Sequence, residues 1–297
     1  MDTVIFYFLP GAGVFGGIKV GYQFVDVLRS LGYAAVIASP NGTAARWFQS
    51  RAPVVSREEA LAQAGSSDTA VFSLPQDYPH LRPRFKNLIF HCQGTDPAID
   101  SFLEDESMVA LSCWRQAHQY MTDRGVEPFE VGISISQSFS YSGEEKAPLR
   151  VAYMPRRGGG FIDEFFCHAH LAEGLPIDGA TEWEVAEILK SARFFLASSE
   201  NEWFGLPALE AMAAGCVVLS APTLGGEEYL ESGLNSEVGT PQALGAFFSR
   251  YAYDHEKLDG IVLEAIKTAS HYSEERVRAL VTDACRALQL PRDWDAA

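Results

Sequence analysis

The chain has 297 residues, 47% of them hydrophobic and 21% charged, which leaves room for two globular domains. A net charge of −16 argues against nucleic acid or an anionic membrane surface as the main partner, and no apolar run is long enough to span a bilayer. Five scattered cysteines form no Cys-x-x-Cys pair, and no basic segment precedes an apolar one at the N-terminus, so reduced thiols and a cytoplasmic location are expected.

Residues 3–9, TVIFYFL, are a β-branched and aromatic run, which predicts a buried strand. A glycine-rich stretch follows, and over 18–31 the apolar Val20, Phe24, Val27, Leu28 and Leu31 recur at helical spacing before Gly32. With a second strand over 34–38 this makes one βαβ unit. Gly11-x-Gly13-x-x-Gly16 has the form of a dinucleotide fingerprint, yet the second strand ends Ala38-Ser39-Pro40-Asn41, with no acid for a ribose. Further strands are expected over 70–74, 87–91, 108–111 and 129–131, with a helix over 113–124. His91-Cys92-Gln93-Gly94-Thr95-Asp96 then falls at a strand's carboxyl end, the ligand edge of such a sheet. There His91 is either a ligand-facing group or a hydrogen-bonded loop residue. Gln93 and Asp96 have the chemistry to bind a hydroxyl.

Residues 137–148 lose periodicity and gather Ser, Gly and charge, so they read as a linker between domains 1–146 and 147–297. A strand over 149–154 leads into Pro155-Arg156-Arg157-Gly158-Gly159-Gly160. Adjacent arginines beside glycines at a strand end suit an anion, the plainer reading being a solvated basic turn. His168 and His170 fall on a helix expected over 161–171, where they point apart, so no metal is expected there. A helix over 182–191 precedes a strand over 193–198.

Glu202 lies in the loop that follows, and Pro207 suits the first position of a helix over 207–214 that stops at Gly215. Glu210 then sits in the first turn, where the backbone dipole favours a carboxylate. As an acceptor-only group it suits a pair of hydroxyls such as a ribose offers, the alternative being a capping box. The N–H groups of Leu206, Ala208 and Leu209 are available to a phosphate. A strand over 216–219, a loop at Gly225-Gly226 and a helix running past Glu228 to 232 follow. Helices over 243–254, 256–269 and 273–290 complete the chain.

The string Glu202-Trp203-Phe204-Gly205-Leu206-Pro207-Ala208-Leu209-Glu210-Ala211-Met212-Ala213-Ala214-Gly215-Cys216-Val217-Val218, with Gly225-Gly226-x-Glu228 after it, resembles the signature of retaining GT-B glycosyltransferases of the family-4 type, group 1. The resemblance implies an α/β fold of two facing Rossmann-like domains, the first on the acceptor side and the second binding the nucleotide sugar, with the C-terminal helix crossing back. It implies that Glu202 meets the donor sugar, that Glu210 holds the ribose, and that amides of Phe204, Gly205 and Leu206 approach the diphosphate. Gly16 and Gly17, with Lys19 nearby, would approach the donor phosphate or the acceptor. His91 would lie beside the donor sugar or acceptor.

Arg156 or Arg157 would supply the family's basic residue at this strand-to-loop junction. Three departures stand out: Trp203 where the family usually has Gly, no Lys at family spacing after Arg157, and Asn235-Ser236-Glu237-Val238-Gly239-Thr240 in place of an apolar, Gly-rich segment. The expected activity is hexosyl or deoxyhexosyl transfer from a nucleoside-diphosphate sugar to the hydroxyl of a glycan, lipid-linked or natural-product acceptor, with retention. No metal or other cofactor is expected, since no Asp-x-Asp lies near a predicted strand end. A sugar-nucleotide epimerase of the same fold and a non-catalytic sugar-nucleotide-binding protein are the alternatives.

Overall fold

The structure, a computed structural model, describes residues 3–156, 158–200 and 202–290. Among these residues one sheet comprises β1 (Val4–Phe8), β2 (Ala34–Ser39), β3 (Val54–Ser56), β4 (Thr69–Phe72), β5 (Asn87–Cys92), β6 (Met108–Ser112) and β7 (Phe129–Glu130), in the order β3-β2-β1-β4-β5-β6-β7. A second comprises β8 (Ala147–Tyr153), β9 (Glu173–Pro176), β10 (Ala192–Ala197), β11 (Val217–Ser220) and β12 (Glu237–Val238), in the order β12-β11-β10-β8-β9. All these pairings are parallel. A parallel sheet covered on both faces needs central strands that are apolar on both sides. The runs Phe6-Tyr7-Phe8 and Phe194-Phe195-Leu196 meet that need and are buried throughout.

Helices fill the crossovers. In the first sheet's unit these are α1 (Gly16–Ser30), α2 (Arg57–Gln63), α3 (Tyr78–Leu81), α4 (Asp100–Leu103) and α5 (Arg115–Thr122). The second has α6 (Gly159–His168), α7 (Glu182–Ser191), α8 (Leu206–Ala213), α9 (Pro241–Tyr251) and α10 (His255–Ser270), and α11 (Glu274–Ala287) follows. Capping boxes open α2, from Ser56 and Glu59, and α7, from Thr181 and Glu184, each satisfying otherwise orphaned backbone donors. The helix expected past Glu228 is instead a single 3-10 turn, Gly225–Glu228. Two glycines at its start give little helical preference. The Asn235 side chain then holds the chain in a loop, donating to the Tyr229 carbonyl (2.8 Å) and accepting from Glu231 N–H (2.8 Å).

Contacts divide the chain into two units. One holds the described residues up to Ser134 together with those from Glu275 onward, and the other holds Ile135–Glu274. Residues 135–146, assigned above to the first domain, therefore belong to the second unit, and their contacts explain why. Tyr141 N–H donates to the Ala213 carbonyl (3.0 Å), and its ring lies against Gly215, where a Cβ would come within 2.7 Å of it. The Lys146 ammonium donates to the carbonyls of Leu189 (2.8 Å) and Ala192 (2.9 Å). In the first unit, α11 completes the core: Val277, Val281, Ala284 and Cys285 pack with Ile5, Phe24, Val25 and Leu28. Outside that core, Arg276 pairs with Glu130 (2.7 Å) and Arg278 donates to the Ser30 hydroxyl (2.6 Å).

Candidate functional site

In the second sheet the strand order reverses between β8 and β10, which pair side by side. Such a reversal opens a crevice beyond the carboxyl ends of the two strands, where open α/β sheets take ligands. The loop after β8 carries Arg156, which is exposed; Arg157 lies outside the described residues. The two loops are docked by a glycine. Gly158 has φ 74°, and a Cβ on it would overlap the carbonyl of Ser198, the first residue after β10. Arg156 and the segment bearing Glu202 are thus held on neighbouring loops.

That segment ends at Gly205, the residue before α8, with φ 85° and ψ 49°. A left-handed glycine lets the helix start at Leu206, one residue earlier than expected, with Pro207 second. Glu210 is consequently the fifth helical residue, just beyond the first turn, and is buried, 7% exposed. Ala208 N–H is also less available than expected, since it donates to the Gly205 carbonyl (3.1 Å). Phe204 is buried and Trp203 is 44% exposed. Gly225 lies directly against their backbone, where any Cβ would overlap the Trp203 carbonyl and the Phe204 Cα.

One residue the sequence reading missed ties this region together. Tyr229 donates its hydroxyl to the Gly205 carbonyl (2.7 Å) and packs its ring against Phe204 (centroids 5.4 Å apart) and Tyr272 (6.2 Å). Burial pushes its phenol well above the ordinary range, and Tyr272, Glu202, Glu228 and Glu210 push it the same way. The structure therefore gathers Glu202, Glu210 and Glu228 around one neutral hydroxyl. An aromatic residue in a loop carries no sequence signal for this, because the contact spans 24 positions.

The remaining candidates sit in the first unit. Gly16 and Gly17 are the first two residues of α1, and a Cβ on Gly17 would overlap the Gln93 side chain. Gln93 donates to the Gly17 carbonyl (3.2 Å) and to the Tyr7 hydroxyl (3.1 Å). That hydroxyl meets His91 Nδ1 at 2.8 Å, and His91 Nε2 meets Cys113 Sγ at 2.9 Å. His91 thus differs from the strand-end group expected: it lies inside β5, 1% exposed, with both ring nitrogens engaged. Burial lowers its pKa to about 3, so the imidazole is neutral. With Tyr7 accepting from Gln93, the phenol hydrogen is directed at Nδ1, which leaves Nε2 to donate to the sulfur. Burial pushes the Cys113 thiol up, so it accepts as a thiol. Asp96 caps the turn after it, accepting from Ala98 N–H (2.8 Å), and Lys19 is buried on α1.

Comparison with known proteins bears on both units. Residues 171–247 match the family model described as glycosyl transferases group 1. An alpha-1,6-glucosyltransferase of Actinobacillus pleuropneumoniae is 30% identical over 251 residues, covering 74% of this chain and 72% of that protein. Among solved structures, Anabaena HepE in complex with UDP-glucose superposes with a TM-score of 0.74 at 13% identity, over 96% of this chain and 100% of that one. Sucrose-phosphate synthase from Thermosynechococcus elongatus gives 0.71 at 13% identity, over 97% and 99%. At such identities the likeness is one of fold, and that fold is GT-B.

Proposed function

This chain belongs to the group 1 glycosyltransferases of the GT-B fold, and from that premise we propose that it moves a hexosyl or deoxyhexosyl group from a nucleoside-diphosphate sugar to a hydroxyl acceptor, with retention at the anomeric carbon. The observation that carries the reading is the segment from Glu202 to Glu210, bent at left-handed Gly205 beside the Arg156 loop at a strand-order reversal. Glu210 accepts from the ribose hydroxyls and Glu202 from the donor sugar. Arg156 and the Leu206 N–H face the diphosphate, with Phe204 walling the loop. The donor named in the HepE structure, UDP-glucose, is of this class.

Bond changes follow from that placement. The bond from the anomeric carbon to the phosphate oxygen breaks as the acceptor oxygen bonds to the same face of the sugar. The acceptor proton passes to the departing phosphate, so no side-chain base is needed. Positive charge builds on the sugar and negative charge on the diphosphate, and groups already aimed at that negative charge lower the barrier. In the first unit His91 is a positioning residue: as a neutral acceptor it fixes the Tyr7 hydroxyl, which receives the Gln93 amide that holds Gly17.

A panel of UDP-, GDP- and dTDP-sugars tests the proposal, first by thermal shift and then by turnover with and without EDTA. A donor at a hundred times its dissociation constant adds about 2.7 kcal/mol of stability. The expected result is glycosyl transfer with retained configuration that survives the chelator. Epimerised donor, or tight binding without turnover, would replace this reading with one of its alternatives, and rescue of an EDTA-killed reaction by Mn²⁺ would overturn the metal-free arrangement.

A further inference from the structure

Gly205 poses a mechanical problem. A glycine at φ 85° is needed for α8 to start where it does, yet glycine lets the adjoining peptide plane rotate more freely than any other residue. A side chain there cannot supply the missing stiffness. An L-residue is strained at that φ, and its Cβ would come within 2.9 Å of the Tyr229 oxygen. The Tyr229 hydroxyl stands in the space a side chain would take.

What that hydroxyl holds is one peptide unit. The Gly205 carbonyl accepts from Tyr229 (2.7 Å) and from Ala208 N–H (3.1 Å), so both its lone pairs are used from fixed directions. In a planar trans peptide the next N–H points opposite to the carbonyl. Anchoring the Gly205 oxygen therefore aims the Leu206 N–H. Pro207 has no N–H and that of Ala208 turns inward, which leaves Leu206 as the outward donor among the first three helical positions.

Tyr229 is itself held from several sides. It is 4% exposed, its ring lies against Phe204 and Tyr272, and its carbonyl accepts from the buried Asn235 amide (2.8 Å). Asn235 donates in turn to the Thr268 hydroxyl (2.9 Å) on α10. The phenol is kept protonated by burial and by the carboxylates of Glu202, Glu228 and Glu210, so it remains a donor at any working pH.

We propose that Tyr229 is a positioning residue for the diphosphate subsite, which holds the Gly205 peptide so that the Leu206 amide points at the leaving phosphate. The proposal rests on the donor-binding reading above. Tyr229→Phe keeps the ring and removes only the hydroxyl. The probes are whichever of UDP, GDP and dTDP binds the unsubstituted chain most tightly, and its parent nucleoside. The variant should lose about tenfold in affinity for the diphosphate and less than twofold for the nucleoside, with melting lowered by no more than about 4 °C. Equal losses for both ligands, or no loss for either, would overturn the proposal while leaving the donor site intact. A second readout needs no variant: in ¹⁵N-labelled full-length protein the Leu206 amide should shift downfield with the diphosphate and stay in place with the nucleoside. A silent Leu206 amide overturns the proposal by itself. If none of the three diphosphates binds, the donor reading falls and takes this proposal with it.

Discussion

His91 shows how much one buried side chain can do to the pH dependence of the whole fold. Its pKa is about 3 in the folded protein, against an ordinary value of 6.5. Between those values the unfolded chain binds the extra proton, so stability is complete above pH 6.5 and falls as pH drops toward 3. The loss is about 1.4 kcal/mol per pH unit, or ~2 kcal/mol at pH 5. Urea unfolding at pH 7.5 and pH 5 should show this extra loss in the native chain and not in His91→Gln; equal losses would clear the imidazole. The two acids of the signature segment should separate by ligand instead. Glu210→Ala should weaken nucleoside diphosphate and nucleotide sugar alike, by ~1.5–3 kcal/mol. Glu202→Ala should spare the bare diphosphate and lower turnover. Calorimetric titration of both ligands into both variants decides it, and loss of the bare nucleotide in Glu202→Ala would mean the roles are misassigned. These acids were legible in the sequence because their spacing and flanking Gly and Pro are local features. Tyr229 and the Gln93–Tyr7–His91 chain were not legible, because they exist only where segments far apart in sequence pack together.

Among the elements, the central strands were readable, and of the edge strands only β7, expected over 129–131, was. β1, and most of β2 and β5, read as apolar runs because they lie inside the first sheet. β3, of three residues, and β9, which reads Glu-Gly-Leu-Pro, are edge strands with one neighbour each, so their sequences carry little strand signal. The loops leaving β8 and β10 depend on glycine for contact as well as for turning. Gly158→Ala would place a methyl group on the Ser198 carbonyl at a left-handed φ, with an expected cost of ~2–4 kcal/mol from strain and overlap together. Gly159→Ala next to it meets open space and should change stability by less than about 0.5 kcal/mol. Urea midpoints of the two variants check the pair, and diphosphate affinity should fall only for Gly158→Ala. A Gly158→Ala protein as stable as Gly159→Ala would show that the two loops are not docked through this contact.

Across the whole molecule, each unit has its own core, but the first borrows its last helix from the far end of the chain. Val277 and Val281 alone bury enough to contribute ~1.5–3 kcal/mol each, a large share of the 5–15 kcal/mol that typically keeps a domain folded. A fragment of residues 1–134 should therefore lack cooperative unfolding, and a peptide of residues 274–290 should restore it. Circular dichroism of the two, separate and mixed, checks this, and a cooperative melt for the fragment alone would contradict it. The order of manufacture follows from the same helix. Domains of a nascent chain generally close as they leave the ribosome, the N-terminal one first. Here the part made first must wait, with its apolar seat for α11 uncovered, until residues past 274 emerge, while the part made second has all its own residues earlier. Synthesis and completion then run in opposite directions, and the stretch of greatest exposure to chaperones and proteases falls on the first unit.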